Sequence, residues 1–439
     1  MFSKIFNFLF KSYHRPAAKA EHIVIFLRSF FFNCKTKLYS EKQMLLKNPP
    51  ISMIFYNSAG RTLNLFFNFI SILLFNKFIE KETYIERNKS LSNKNFGKDN
   101  SIWPPQNLDK FEKIKEVEDN FFNILQQDYD MSISQIKNKP LFKDSPWWID
   151  CRKEFQNIFI SDNKKFNKEE FKTFRNNKKT KAALLADQNF LIGDENGRAL
   201  KFKSLSLIHL YHKLSEFMDE NILRAASDSL SGENICLNYR GQRLNHRVLR
   251  HAYYLSQVYH NTDLKNKKDL VFLDLGGGYG GLTRFLHNYF TKATSIVIEL
   301  PEVCALASYF LKNIFPEKKI GTLKDFIGLD LIKKNDLLKF DFVILPQTMI
   351  EKIENDCIDL SINTTSMGEM TNEMQNFYLS QIERITSSYF YSVNRAKQRL
   401  DKFNAQGFYN LQFKKRWQSL IYKYTHTYHI EFLGKKKND

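Results

Sequence analysis

The sequence has few cysteines, and none of them lies in a pattern typical of a metal or disulfide site. The chain contains five, well separated from one another: Cys34, Cys151, Cys236, Cys304 and Cys357. There is no CxxC pair and no Cys/His cluster, which argues against a structural zinc site. An odd number of cysteines also argues against a disulfide framework. We therefore expect a protein of the reducing cytoplasm, and we assign no metal ligands.

The sequence also lacks an apolar run long enough to span a membrane. Its most apolar stretch is the fifteen residues between Arg61 and Lys77, whereas a membrane span needs about 20. Asn64 and Asn68 fall on one helical face, so we predict an amphipathic helix, buried or lying at a membrane surface. The segment ending at Lys11 is interrupted by charge and precedes no small-residue cleavage site, so we predict no secretory signal.

Positive charge is in excess, with 66 Lys and Arg against 47 Asp and Glu and a net charge of +19. Such an excess usually indicates a polyanionic partner. Here the lysines are scattered through mixed-charge stretches such as Lys164–Lys165 and Lys333–Lys334. A codon bias that enriches Lys, Asn, Ile and Phe explains the composition equally well. We interpret the charge as a solvated basic surface, with a nucleic-acid or anionic-membrane surface as the alternative.

With 439 residues, the chain is too long for one ordinary core. We divide it into a basic, Phe-rich helical leader (1–85), a mostly helical N-terminal domain (86–262) and an α/β domain (263–439). Within the helical part, apolar residues repeating at three and four predict helices over Leu108–Gln127 and Asn245–Tyr259. The leader is the segment that could make peripheral contact with the inner membrane.

After Asp269 short apolar strands alternate with helical segments. The predicted strands are Leu270–Leu275, Ser295–Leu300, Asp341–Leu345, Cys357–Asn363, Tyr389–Asn394, Ser419–Thr425 and His429–Leu433. The predicted helices are Gly281–Phe290, Pro301–Phe315 and Gly368–Ser387. This alternation is typical of an α/β fold with a doubly wound, mainly parallel sheet. The last two strands are expected to form an antiparallel hairpin at the sheet edge.

The strongest motif is VFLDLGGGYGG, in which an apolar strand ends at Asp274 and enters a glycine turn that opens a helix. Gly276, Gly278 and Gly281 satisfy the GxGxxG pattern of dinucleotide-binding turns. The turn also fits an acidic-x-GxGxG pattern, in which Gly280 is the third glycine. A carboxylate beside the turn would repel a pyrophosphate but suits the ammonium group of a bound amino acid. The motif therefore favours S-adenosylmethionine (SAM) as the cofactor, with a nicotinamide cofactor as a minor alternative.

A second acidic residue, Glu299, ends the next predicted strand, twenty-three positions after Gly276. At that place a carboxylate can accept hydrogen bonds from ribose hydroxyls. After the third strand, Pro346 and Gln347 are placed to line an adenine pocket. We therefore expect the turn, Glu299 and Gln347 to form one cofactor site.

Three segments together carry a resemblance to a known family: DLGGGYGGL, IELPEV and NTTSMGEM. They resemble the bacterial family of sugar O-methyltransferases that is associated with surface-polysaccharide synthesis. The similarity runs from about Trp103 to Phe432 and is densest between Asp269 and Met370. It implies a Rossmann-like class I methyltransferase domain, with SAM as cofactor and a sugar of a surface glycan or its precursor as acceptor. It assigns cofactor binding to Asp274, Gly276, Gly278, Gly280 and Glu299.

The same resemblance implies a loop after the fourth strand that carries Asn363, Ser366 and Glu369. Ligands in open α/β sheets bind beyond the carboxyl ends of the strands, so this loop should face the cleft. A sugar hydroxyl must lose a proton on methylation, and Glu369 is the predicted base or sugar-binding carboxylate, with Asn363 beside it. The alternative is that Ser366 and Glu369 form a capping box for the next helix.

Several basic residues precede the first strand of the α/β domain. Arg240, Arg243, His246, Arg247 and Arg250 are predicted to lie on one helical stretch. We interpret them as a basic helix face, with closure over the cofactor or binding of an acidic sugar nucleotide as the alternative.

Other functions remain open. Residues 361–365 read SINTT and lack the D/N-P-P-aromatic motif of nucleobase amino-methyltransferases, which argues against DNA as the acceptor. An RNA methyltransferase with a basic helical RNA-binding domain is one alternative, and a non-catalytic scaffold in glycan synthesis is another. The intact glycine turn with both carboxylates argues against the scaffold. The sequence gives no indication of the oligomeric state.

Overall fold

In the computed structural model, residues 83–85, 115–142, 146–175, 207–395, 416–424 and 429–437 are described, except for positions 138, 143–145, 209, 212, 213, 216, 217, 233 and 235. The apolar stretch between Arg61 and Lys77 lies outside these residues. No helix in the described ranges combines the length and the apolar character that crossing a bilayer would require.

The centre of the fold is an eight-stranded, mainly parallel sheet. The strands of the chain are β1 (Thr83–Ile85), β2 (Leu237–Tyr239), β3 (Gln242–Leu244), β4 (Val271–Leu275), β5 (Thr294–Glu299), β6 (Ile320–Gly321), β7 (Phe342–Pro346), β8 (Ile358–Thr364), β9 (Thr386–Arg395), β10 (Trp417–Tyr424) and β11 (His429–Lys436). In the large sheet the order is β10-β11-β9-β8-β4-β5-β7-β6, while β1, β2 and β3 form a small separate sheet. Strands β9 to β6 are parallel, and β11 is antiparallel to both of its neighbours.

Helices cover both faces of this sheet. They are α1 (Asp119–Lys137), α2 (Pro146–Phe159), α3 (Lys168–Lys172), α4 (Glu220–Arg224), α5 (His246–Asn261), α6 (Gly281–Tyr289), α7 (Pro301–Ile314), α8 (Leu323–Phe326), α9 (Lys334–Leu337) and α10 (Asn372–Ile385). Short 3-10 helices span Pro140–Phe142, Leu264–Asn266, Gln347–Lys352 and Met367–Glu369. Helices α5, α6 and α7 pack on one face of the sheet, and α8, α9 and α10 pack on the other.

Successive residues of β4 show why these strands read as continuous apolar runs. Phe272 packs in the layer of α5 and α6, whereas Val271 and Leu273 pack in the layer of α10. Side chains alternate across a strand, so a strand buried on both faces needs apolar residues at every position. The predicted strands of the α/β part are all observed, with small shifts of their ends. The predicted hairpin at the sheet edge is also confirmed as β10 and β11.

The helices before the sheet share a core with it. Helix α1 packs against α7, and the phenylalanines of α2, α3 and the residues that follow join the same apolar cluster. The largest members of that group are Phe155, Phe159, Phe166, Phe171 and Phe174, all buried. This cluster, which we call the Phe cluster, fixes the helical segment against one face of the sheet.

Two predictions for the helical part place residues in helices where the structure has none. Residues 115–118 are not helical, because Lys115 is paired through its backbone with Asn313 at the end of α7. Residues 237–244 form the hairpin of β2 and β3, so Arg240 and Arg243 do not lie on a helix. Arg240 and Gly241 both have positive φ, 52° and 75°, which is the conformation of a two-residue type I′ turn.

Candidate functional site

The glycine turn after β4 is held in a conformation that requires glycine. Gly276, Gly278 and Gly280 have φ of 69°, 58° and 86°, a region that other residues rarely adopt. A Cβ atom at Gly276 would collide with the Oγ of Ser366. A Cβ atom at Gly278 would meet only Arg247 Nη1, at 3.8 Å. The first glycine therefore permits close packing, and Gly278 leaves its backbone open to a ligand.

Asp274 ends β4 directly below this turn, and it is only 3% exposed. Its Oδ2 accepts a hydrogen bond from the Thr283 hydroxyl at 3.0 Å, while Oδ1 is buried without a hydrogen-bond partner among the described residues. Burial raises the pKa of Asp274 to about 7, against the hydrogen bond from Thr283, which lowers it. A buried carboxylate oxygen without a donor is the arrangement expected of a ligand-binding group.

Glu299 ends β5, the strand that neighbours β4, and is half-buried. Its Oε1 accepts the backbone N–H of Gly278 at 2.8 Å, and its Oε2 accepts that of Leu300 at 2.9 Å. Burial raises the pKa of Glu299 to about 7 although both hydrogen bonds lower it. Glu299 thus ties the glycine turn to β5, and each of its oxygens retains a lone pair for a second donor.

One cavity connects these groups. Its walls are the glycine turn, the carboxyl ends of β5, β7 and β8, one face of α5 and the start of α10. The charged and amide side chains on its walls are Arg247, Arg250, Asp274, Glu299, Gln347 and Glu369. Gln347, which follows β7, is 6% exposed and lies at the predicted place. Five of the predicted cofactor residues line this cavity, namely Asp274, Gly276, Gly278, Glu299 and Gln347, whereas the predicted Gly280 does not.

The loop after β8 combines a buried support with a cavity-facing group. Asn363 is fully buried, and its Nδ2 donates to Leu275 O at 2.8 Å and to Ser366 Oγ at 2.7 Å. Thr365 lines the cavity with φ of 62°, an unusual value for a β-branched residue that often marks functional loops. Glu369 lines the cavity as well, whereas the side chain of Asn363 supports the turn from below.

The alternative capping box at this loop is wrong. Ser366 makes no side-chain cap, because its hydroxyl already accepts the hydrogen bond from Asn363. Helix α10 begins instead at Asn372, and its N-cap is Thr371, whose hydroxyl accepts the Met374 N–H at 3.3 Å. Glu369 therefore does not belong to the cap of α10.

Helix α5 contributes two arginines for which closure over the cofactor was the alternative interpretation, and two further residues that the sequence did not single out. Arg247, Arg250, His251 and Tyr254 all line the cavity. His251 is 9% exposed, and its ring makes no hydrogen bond with any described residue. Burial, followed by the positive charges of Arg247 and Arg250, holds the pKa of His251 well below its usual value. The spacing of three, four and seven positions along one helix was the available signal.

A second buried carboxylate, Asp228, lies in a polar cluster behind the α5 N-terminus. Its Oδ2 accepts hydrogen bonds from Arg175 at 2.5 Å, from Asn234 at 2.7 Å and from Asn245, which caps α5. Its Oδ1 accepts the Ser229 N–H at 2.8 Å. Burial alone would raise the pKa of Asp228, but Arg175 and the other arginines hold it below its usual range. We call these residues the Asp228 cluster.

The Asp228 cluster is joined to the glycine turn through Tyr279. The guanidinium of Arg175 lies 4.7 Å from the centre of the Tyr279 ring, and that of Arg247 lies 5.4 Å from it. Tyr279 itself is 2% exposed and packs on Phe310 of α7. The turn is thus supported by side chains from the helical part of the chain. No group of three or more His, Cys, Asp or Glu side chains suited to a metal ion occurs among the described residues.

No protein-family model matches the sequence, and no curated protein matches it. Among solved structures, it is similar to the PH0226 protein of Pyrococcus horikoshii OT3, with 12% identity and a TM-score of 0.32 over 44% of this chain and 92% of that one. It is similar to magnesium protoporphyrin IX methyltransferase from Synechocystis PCC 6803 with bound SAM, with 10% identity and a TM-score of 0.30 over 44% and 86%. It is also similar to the mitomycin 7-O-methyltransferase MmcR, with 13% identity and a TM-score of 0.28 over 44% of this chain and 57% of that one.

Proposed function

We propose that the protein is a SAM-dependent O-methyltransferase that acts on a sugar hydroxyl of a surface glycan or its precursor. The observation that carries this proposal is the convergence of Asp274, Gly278 and Glu299 on one cavity at the carboxyl ends of two adjacent strands. That edge of an open α/β sheet is where ligands bind. The acceptor class rests on the family resemblance and on the chemistry of the cavity wall.

The cofactor site fits an amino-acid-bearing nucleoside better than a dinucleotide. The unpartnered Oδ1 of Asp274 suits an ammonium group, and the open backbone at Gly278 suits close approach of the cofactor. Glu299 accepts hydrogen bonds from the ribose hydroxyls on its remaining lone pairs, and Gln347 lines the adenine pocket. A pyrophosphate at this turn would meet the carboxylate of Asp274 at close range, which disfavours a nicotinamide cofactor. Gly276 and Gly280 give the turn its shape.

When bound, SAM supplies an electrophilic methyl group. In the reaction the acceptor oxygen forms a bond to that methyl carbon, the carbon–sulfur bond breaks, and the hydroxyl proton passes to a base. Glu369 is the group that we assign as this base, because it lines the cavity at the carboxyl end of β8. Asn363 acts as a positioning residue, since its hydrogen bonds to Leu275 and Ser366 hold the loop against the turn.

The helical segment supplies the wall that we assign to the acceptor. Trp148 of α2 and Phe142 line the same cavity as Glu369. An aromatic face beside a carboxylate suits a sugar ring, because the ring presents both apolar C–H groups and hydroxyls. The helical N-terminal domain would then cap the acceptor site.

Calorimetry with SAM and S-adenosylhomocysteine tests the cofactor site. Wild type is expected to bind both, and Asp274→Ala and Glu299→Ala are each expected to weaken binding by about tenfold or more, the effect of losing a hydrogen bond to a charged group. Arg240→Ala, at the exposed β2–β3 turn, is the matched control. A folded wild type that binds neither compound, or that is thermally stabilised by NAD instead, would overturn the proposal.

Methyl transfer is then measured with radiolabelled SAM and lipid-linked glycan precursors as acceptors. Glu369→Gln is expected to lower kcat by about 10²- to 10⁴-fold, the usual contribution of general-base catalysis, while S-adenosylhomocysteine affinity stays unchanged. His251→Gln is measured in parallel, because His251, whose lowered pKa keeps it neutral, is a second group on the cavity wall that could accept a proton. Transfer at the wild-type rate by Glu369→Gln would show that Glu369 is not the base.

A further inference from the structure

Arg250 is a cationic side chain on the cavity wall without a partner. Its guanidinium makes no hydrogen bond or ion pair with any described residue, and its Nε is buried. Arginine carries five N–H donors, and a buried donor such as this Nε–H is costly when it has no acceptor. Natural proteins retain such a group where a ligand supplies the missing acceptor.

Asp274 is the complementary case in the wall of the same cavity. Its Oδ1 is buried without a donor, and it lines the same cavity as Arg250. The two residues carry opposite charges, yet no ion pair joins them across the cavity. A ligand that carries a positive and a negative charge close together would give each of the two residues the partner that it lacks.

We infer that Arg250 and Asp274 together hold the zwitterionic amino-acid end of the cofactor, with Arg250 on its carboxylate and Asp274 on its ammonium group. This inference rests on the proposed function, since it names the part of the cofactor that each residue recognises. Arginine suits the carboxylate because its planar fork can bind both oxygens. Asp274 accepts from the ammonium group through the oxygen that Thr283 does not use.

The packing of α5 assigns Arg250 to the cofactor rather than to the acceptor. His251, the next residue, abuts the start of α6, where a Cβ atom at Gly281 would lie 2.9 Å from its Cε1. Arg247, one turn earlier, lies 3.8 Å from the Cβ position of Gly278. This face of α5 therefore adjoins the glycine turn. The N-terminal end of α6 adds a positive dipole end that also favours a carboxylate.

The test compares S-adenosylhomocysteine with 5′-methylthioadenosine, which lacks the amino-acid end. Calorimetry on the full chain is expected to show that wild type prefers S-adenosylhomocysteine. Arg250→Ala should lower the affinity for S-adenosylhomocysteine by about tenfold to a hundredfold and change that for 5′-methylthioadenosine less than about twofold. Asp274→Asn should show the same selectivity, Arg250→Lys should be intermediate, and Arg240→Ala should match wild type.

The outcomes separate this inference from the proposed function. If wild type binds neither compound, the proposed function itself fails. If wild type binds S-adenosylhomocysteine but Arg250→Ala retains full affinity, or loses both compounds equally while its thermal unfolding stays normal, the assignment of Arg250 is overturned. The partial effect of Arg250→Lys guards against misfolding of the alanine variant, because the lysine keeps the charge and the stem.

Discussion

Asp228 and Asp274 are equally buried, at 3% exposure each, yet their surroundings are opposite. Asp228 accepts hydrogen bonds on both oxygens and has Arg175 beside it, so its pKa is lowered. Asp274 accepts one hydrogen bond from Thr283 and has no cation as a partner, so burial raises its pKa to about 7. Both oxygens of Asp228 therefore have partners within the fold, whereas Oδ1 of Asp274 has none among the described residues.

The comparison separates a carboxylate that is fully paired within the fold from one that we propose to bind a ligand. A buried charge is compatible with a stable fold only when an opposite charge and hydrogen-bond partners are buried beside it, and Asp228 has both. Asp274 makes the free protein less stable, which is expected of a group whose partner arrives with a ligand. Burial alone therefore does not distinguish the two carboxylates, whereas the number of hydrogen-bond and charge partners of each one does.

Asp228→Ala should have the largest effect on stability. Removing one member of a buried ion pair leaves Arg175 buried and uncompensated, so the free energy of unfolding should fall by about 3–5 kcal/mol. Urea unfolding measures this loss. Asp274→Ala is the matched control, and at neutral pH it should not lower stability, because it removes a buried carboxylate that has no cation as a partner. A similar loss in both variants would remove the distinction between the two carboxylates.

The pH dependence of stability should distinguish the same pair by sign. Between the ordinary pKa of 3.8 and about 7, folded Asp274 binds more protons than it does in the unfolded chain. Its contribution therefore weakens stability as pH rises from 4 to 7 and is constant above that range. Asp228 acts in the opposite direction, because its lowered pKa stabilises the fold above pH 4 and this stability is lost in acid.

Urea unfolding of Asp274→Asn across this range tests the sign. Relative to wild type, the variant should gain stability as pH rises, by up to about 4 kcal/mol at pH 8, since each pH unit corresponds to about 1.36 kcal/mol. The pKa of Glu299 is also raised, so the stability of the variant itself should still fall with rising pH, but less steeply than that of wild type. A difference between variant and wild type that does not change with pH would contradict the assignment.

The smallest effect is expected from Thr283→Val. Thr283 is fully buried and donates the hydrogen bond to Asp274, so its loss should raise the pKa of Asp274 further. Binding of S-adenosylhomocysteine should then require a higher pH, with a loss of affinity of about fivefold at pH 7. Calorimetry over pH 6–8 measures the shift. Thr283→Ser keeps the hydroxyl and should show the wild-type dependence of affinity on pH. If Thr283→Val shows that dependence too, the hydrogen bond from Thr283 does not affect binding.

The sheet and the acidic half of the site could be predicted from sequence because both follow from local patterns. Apolar runs predicted the strands, and parallel strands bring their carboxyl ends to one edge, which placed Asp274, Glu299 and Glu369 together. The hairpin at Arg240–Gly241 was missed because its turn carries a single glycine within a segment of helical pattern. The start of α10 was placed too early, at Gly368, because the long-range bond from Asn363 to Leu275, which holds this loop against β4, cannot be read from the local sequence.

The basic half of the site could not be predicted for a different reason. The α5 helix was predicted correctly, and its N-cap is Asn245. Which face of α5 meets the glycine turn depends on how α5 packs against α6, and helical periodicity alone does not give that packing. Closure of Arg250 over the cofactor was therefore only an alternative to a basic helix face, and His251 was not singled out. Trp148 could be assigned only once α2 was seen to reach the cavity.

The Phe cluster has a consequence for how the protein is made. Phe155, Phe159 and Phe171 leave the ribosome well before α7, whose Leu306 and Phe310 bury them in the finished fold. Contacts that join distant parts of a chain form late, after a long loop has closed. Until about residue 315 has emerged, these rings can pack only against one another and against earlier side chains such as Phe122 and Tyr129 of α1, so we expect the nascent chain to bind chaperones that recognise apolar surface. The aromatic side chains that pack the core of the native protein are thus also the part of the nascent chain that is most prone to aggregation.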